Sequence, residues 1–252
     1  MTHQFFKQWM QEQKPLPKVG NVLLLREHAG RTADIRKAIE LAALDHLANL
    51  EVIERMGGTE EAKAFIRNKL SSRKSVESGD LGEILASEYI DQCTDYRVPI
   101  KRLRWKDDRN VTMRGNDVIA VRDVEGRLRT LKAEAKSGKA IRATVVNSAI
   151  ADLQKHAGRP NPSSLAFISS RLRELGRDAE AVKFEALQKA APAPHEVEHM
   201  VFTLSGNDPS SHFAHHCTHP AGSSARRFVG CVVADHQEFI RQTFEALNAS
   251  KP

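Results

Sequence analysis

An α/β fold is predicted, in the order helix, three strands, helix, strand, and three features of the sequence predict it. Residues 82–90, GEILASEYI, place apolar side chains at helical spacing. Three short runs of strand character follow in quick succession at 96–105, 116–122 and 128–135, separated by the turn segments Asp-Asp-Arg-Asn and Val-Glu-Gly-Arg. A second helical run at 145–156 and a further strand at 199–204 complete the order. Because the turns are short, the three strands are expected to pair as an antiparallel meander.

Taken in order, the chain opens on a stretch ending in KPLPKVG, whose prolines and glycine punctuate it before a short strand at 21–25. Ile35, Ala38, Ile39, Ala42, Leu47, Leu50 and Ile53 then recur at helical spacing and predict one long amphipathic helix over 32–56. Such a helix packs on its own domain or docks a partner. Gly57-Gly58 should stop it, and Thr59 is placed to cap a helix running through Phe65, Ile66 and Leu70. SSRKSVESG reads as a polar connector. After the helix at 145–156, ended by Gly158, Pro160 and Pro162, helices are expected at 164–175 and 178–189. A proline-containing linker, strands at 199–204 and 227–233, and a closing helix at 236–247 follow. The organisation expected is a mainly helical region, 1–75, followed by one domain, 76–252.

The chain of 252 residues, 40% hydrophobic and 28% charged, can bury a sizeable core, so disorder is excluded. No apolar run reaches the roughly 20 residues that cross a bilayer, and the start lacks a signal peptide's apolar stretch. A cytoplasmic protein is expected, with Cys93, Cys217 and Cys231 reduced and buried or inert. Lys and Arg outnumber Asp and Glu by 38 to 32, a balance that favours polyanions without identifying one. Lys101, Arg102, Arg104, Lys106, Arg109 and Arg114 crowd one stretch, with Lys132, Lys136, Lys139 and Arg142 soon after. Of these, Lys101, Arg102, Arg104, Arg114 and Lys139 are the candidate contacts to nucleic-acid phosphates, which give affinity without reading sequence.

The chemistry concentrates in the same stretch. Side chains alternate faces along a strand, so Glu134 and Lys136, either side of Ala135, emerge on one face. If the meander pairs as expected, Asp117 lies beside Glu134, and Glu83 on the preceding helix can approach from the rim. Carboxylates gathered in this way suit Mg²⁺ or Mn²⁺, and without a cation their repulsion raises a carboxyl pKa. A Glu-x-Lys triplet alone is weak, being expected about once by chance in such a chain. Asp117 after Gly115-Asn116 also reads as a turn residue, Glu83 as the capping-box partner of Asp80, and Lys136 as a solvated edge lysine. His212, His215, His216, Cys217 and His219 have zinc-ligand chemistry, but no second spaced pair completes a tetrahedral set.

The run from GEILASEYI through YRVPIKRLRWKDDRNVTMRGNDVIAV to LKAEAKSG resembles the PD-(D/E)xK nuclease superfamily. More narrowly, it is similar to the HamA family of Hachiman anti-phage systems. Asn116-Asp117 stands where the superfamily has Pro-Asp. The resemblance implies a restriction-endonuclease-like αβββαβ core with a mixed central sheet, an N-terminal helical extension and added C-terminal helices and strand. It implies that Asp117, Glu134 and Glu83 hold a Mg²⁺ or Mn²⁺ ion and that Lys136 is the catalytic lysine. It also implies DNA cleavage as a Mg²⁺-dependent endonuclease under the control of a helicase subunit, HamB. The sequence has no GxxxxGK[ST] loop, so ATP-driven work would fall to such a partner. Two other readings stand beside it: a structure-specific repair or recombination nuclease, and an inactive nucleic-acid-binding scaffold.

Overall fold

The computed structural model describes residues 4–14, 20–49, 51, 55, 60–190, 192–217 and 224–249. In chain order, a short helix α1 (Phe6–Trp9) runs into β1 (Met10–Gln13), followed by β2 (Val22–Glu27), α2 (Arg31–Ala48), α3 (Glu60–Lys69) and α4 (Lys74–Cys93). A 3₁₀ turn (Arg102–Trp105), β3 (Val118–Val124), β4 (Arg127–Gly138), α5 (Ala143–Gln154), α6 (Pro162–Glu174) and α7 (Asp178–Ala190) come next. The chain closes with β5 (Val197–Ser205), α8 (Ser210–Ala214), β6 (Arg226–Val232) and α9 (His236–Ala249).

All six strands form one mixed sheet in the order β1-β2-β6-β5-β4-β3. Its two outer pairs, β1 with β2 and β3 with β4, are antiparallel, and the three inner pairings are parallel. β4 is therefore flanked on both sides, and its residues divide cleanly between two faces. Leu131 and Ala133 pack with α2 and α4 residues such as Ile39, Leu81 and Ile84 in the largest core cluster. On the other face Val201 and Phe228 pack with Val146, Ile150 and Leu153 of α5. A third cluster sits at the β3 edge, where Ile119 meets Leu165, Leu172 and Phe184 of α6 and α7. Phe6, Trp9 and Leu25, from the first seventy-five residues, share the largest cluster with Phe202 and Phe239.

Several elements differ from expectation. Residues 96–105 do not form the first strand of a meander. They make a single bridge, Arg97 to Val121, and then wind into the 3₁₀ turn. Pro99 breaks the run, and the basic side chains that follow are drawn into ion pairs instead of lining a ladder. The long helix ends at Ala48, where Asn49 takes a positive φ of 53°. Gly57, Gly58 and Thr59 lie outside the described residues. The expected connector is largely helix, since α4 starts at Lys74 and runs 20 residues. Asp80 is thus inside the helix and is no cap; it is buried against Lys106 Nζ at 2.6 and 2.8 Å. Ile35, Ile39 and Leu47 of α2 are buried in the chain's own core. No helix among the described residues is long and apolar enough to cross a membrane. Cys93 is exposed, whereas Cys231 is buried.

Candidate metal centre

Register brings the acids together. Val118 pairs with Ala133, so one step back along β3 sets Asp117 opposite Glu134. Asp117 is fixed there because its Oδ2 accepts the Ala135 backbone N–H at 3.0 Å. The loop that delivers it is also pinned. Asn116 Oδ1 accepts from Asn161 N at 2.7 Å, and Asn116 N donates to Ser164 Oγ at 3.2 Å. Gly115 has φ +108°, and a Cβ there would meet Ser164 Oγ at 2.6 Å. Only glycine permits that approach of loop to helix. The Gly115-Asn116 pair is turn chemistry as expected, but Asn116 also ties the turn to the N-terminus of α6.

Glu134 and Lys136 share the α5 face of β4, as strand alternation requires. Lys136 Nζ donates to Glu134 Oε1 at 2.7 Å and lies 3.4 Å from Asp152 Oδ2 on α5. Burial, reinforced by repulsion from Asp117 and opposed by Lys136, pushes the Glu134 carboxyl up to about 8. Burial works against the Lys136 charge, but the pull of Glu134 outweighs it and its pKa is raised. Lys136 is about a quarter exposed (24%), a partly shielded amine and no solvated edge residue.

Glu83 is placed differently. It sits on α4, which packs on the opposite face of β4, and it meets Asp117 only around the sheet edge through Arg102. That guanidinium donates to both Glu83 oxygens, Nε at 2.5 Å and Nη2 at 2.9 Å, and its Nη2 lies 3.5 Å from Asp117 Oδ1. Burial raises Glu83 to about 7 against the opposing pull of Arg102. Burial likewise disfavours the Arg102 charge, yet Glu83 and then Asp117 hold it more strongly protonated than usual. Both Glu83 oxygens are engaged by Arg102, so in this structure Glu83 anchors that guanidinium.

The basic stretch separates in the same way. Lys101 Nζ and Arg104 Nη2 bind the Asp45 carboxylate at 2.6 and 2.7 Å, and Lys101 also reaches Glu88 at 3.2 Å. These two, with Arg102, serve internal carboxylates and do not stand free for phosphate. Arg114 remains exposed beside Asp117, and Lys139, also exposed, lines a separate hollow with Ser78 and His236. Asp152 and the anchoring role of Arg102 were not anticipated. Asp152 is a lone acid on the polar side of α5, and only the fold brings it to Lys136.

Among the described residues no group of three or more His, Cys, Asp or Glu is disposed to hold a metal ion. His212, His215, His216 and Cys217 therefore form no such cluster, and His219 lies outside the described residues. The pair Asp117 and Glu134 nevertheless fits a hard divalent cation of the kind that takes one or two carboxylates and completes its shell with water and substrate phosphate. Its donors are all oxygen, the two carboxylates repel one another, and Lys136 engages Glu134 through Oε1 alone. Such an ion would relieve the repulsion that raises Glu134.

With the geometry defined, two comparisons with known proteins bear on identity. The family model described as HamA matches residues 3–247. The Hachiman protein HamA of Bacillus cereus is 25% identical over 196 residues, covering 77% of this chain and 69% of that protein. A family match that spans both outer strand pairs and the whole acidic centre is decisive: the chain belongs to the HamA family.

Proposed function

We propose that this chain is the nuclease effector of a Hachiman anti-phage defence system, a Mg²⁺- or Mn²⁺-dependent DNA endonuclease with a PD-(D/E)xK centre. HamA membership implies the role in defence. The observation that carries the chemistry is the meeting of Asp117, Glu134 and Lys136 at the mouth of β4. A restriction-endonuclease-like core is supported by the order α4, β3, β4, α5, then β5 after α6 and α7, with β3 and β4 antiparallel and β5 parallel to β4, although only the Arg97–Val121 bridge stands where αβββαβ has its first strand. The site is reached without a nucleotide-binding loop in this chain, which suits a division of labour with a helicase subunit.

On this reading Asp117 and Glu134 would hold the divalent ion. When bound, it supplies Lewis-acid charge stabilisation at a phosphate and acidifies water. Ala135 N–H fixes Asp117 through Oδ2, while Oδ1 lies 3.5 Å from Arg102 Nη2. Lys136, held between Glu134 and Asp152, positions a protonated amine where a phosphodiester's developing charge can be met. Arg102 keeps Asp117 and Glu83 from repelling each other at the sheet edge. Arg114 and Lys139 offer sequence-independent contacts to the strand.

The test is plasmid nicking with Mg²⁺ or Mn²⁺, by the full chain alone and together with its helicase partner. Asp117→Ala and Glu134→Ala should each abolish cleavage while leaving the melting temperature intact. Absence of metal-dependent nicking, with and without the partner, removes the nuclease reading, and cleavage that survives both substitutions removes Asp117 and Glu134 as its centre.

A further inference from the structure

Beside Asp117 and Glu83 a cavity of about 460 Å³ opens between the 98–102 segment, the 113–117 loop and the first turns of α6. Its walls include Ile100, Met113, Phe167 and Ile168, with Ser163 and Ser164 also on its lining. Such a space lies within the range of small-molecule sites, which are mostly apolar with a few placed polar groups. The cavity is held open by specific contacts. Asn116 and Gly115 staple the start of α6 to the loop that carries Asp117, so the wall cannot slide inward. Phe167 is held by Trp105, in an edge-to-face pair at 6.1 Å, and by the Arg171 guanidinium 5.4 Å from its ring. Arg102 stands on the border between this cavity and the acidic centre.

A flat, partly apolar group with hydrogen-bonding edges, attached to an anion that on the nuclease reading must reach Lys136 and the cation Asp117 and Glu134 would hold, is the chemical description of a nucleobase on a phosphodiester. We propose that this cavity is a base subsite that takes one unpaired nucleobase of the strand being cut. The proposal rests on the nuclease reading and narrows its substrate: a base paired within a duplex cannot enter, so the strand must be single, frayed or have one nucleotide extruded. Stacking on Phe167 would be tolerant of sequence, since every base presents an aromatic face.

The probe is 2′-deoxyadenosine, an uncharged nucleoside that the neighbouring carboxylates do not repel. It is titrated into the full chain and followed by NMR at the labelled Met113 methyl group. Saturable binding is expected, weakened about tenfold by Phe167→Ala, the effect of losing one stacked base. Ser163→Phe, at an exposed position of α6, should block the mouth to a similar extent, and it decides the matter if Phe167→Ala does not fold. Single-stranded oligodeoxyadenylate should displace the nucleoside, and the same strand paired with oligothymidylate should not. The proposal is overturned if no saturable binding occurs, if Ser163→Phe binds as wild type does, or if duplex competes as well as single strand. Binding of the nucleoside requires no cleavage, so failure of the nicking experiment and failure of this one are separate results.

Discussion

Two lysines on one face of β4, four residues apart, occupy opposite kinds of surroundings. Lys132 is fully buried, and its Nζ donates to the backbone carbonyls of Leu153 at 2.8 Å and Lys155 at 3.0 Å. It satisfies the carbonyls at the C-terminal end of α5, where no helical partner remains. Burial pulls its pKa down to about 8. Lys136 lies nearer the end of the strand, partly open, and its partners are two carboxylates. The difference teaches that residue type and strand face do not set what a lysine does. What distinguishes Lys136 is the company of acids at an accessible strand end, whereas Lys132 is a structural cap.

That contrast can be broken by experiment. Lys136→Ala should lower cleavage at least about a hundredfold, the scale of losing one charge-stabilising donor, with little change in melting temperature. Lys132→Ala should do the reverse. Leaving two buried carbonyls unmet beside a new void should destabilise the fold by about 2–4 kcal/mol in chemical denaturation, while cleavage per folded molecule stays the same. If Lys132→Ala instead kills activity without loss of stability, the division between the two lysines is wrong. Asp152→Asn should act only on Lys136, lowering cleavage about tenfold, as loss of a supporting partner does. Because Lys155 also binds Asp152 at 2.6 Å, Lys155→Ala is the control and should leave the rate unchanged.

The smallest effect expected is on pH. Glu134 and Glu83 hold protons more tightly in the folded chain than the ordinary glutamate value of 4.5 would allow. The contribution of these two carboxyls to metal-free stability is therefore fully present below about 4.5 and is lost as pH climbs through about 7 for Glu83 and about 8 for Glu134, while His46, His199 and His236, whose pKa burial lowers, act in the opposite direction at the acid end. Mn²⁺ binding to the ionised form should release a proton and tighten across the same window. Melting curves at pH 5 and pH 8, with and without Mn²⁺, measure both. The comparison is wild type against Glu134→Gln: a metal-free stability difference between them that does not change between pH 5 and pH 8 would count against the buried, mutually repelling pair.

Much of this was legible in the sequence where periodicity governs. Strand alternation put Glu134 and Lys136 on one face, and the Val-Glu-Gly-Arg turn correctly joined β3 to β4. What was not legible depended on tertiary partners. The run at 96–105 alternates basic and apolar residues like a strand, but Asp45 on α2 captures Lys101 and Arg104 and turns it into a 3₁₀ segment. Strand β1, MQEQ, has no hydrophobic pattern and becomes a strand only by pairing with β2. The sequence could place Glu83 on a helix but could not say on which side of the sheet that helix lies. Nor could it show that Arg102, nineteen residues on, would hold both of its oxygens.

Gly82 decides how near that helix can come. A Cβ at this position would stand 3.0 Å from Ser137 Cβ, so even a methyl group acts as a shim between α4 and β4. What it would displace is the neighbouring Glu83, and with it the anchor of Arg102. A screen for defence-deficient alleles should therefore recover Gly82 variants that mimic active-site lesions, although the residue has no reactive group of its own.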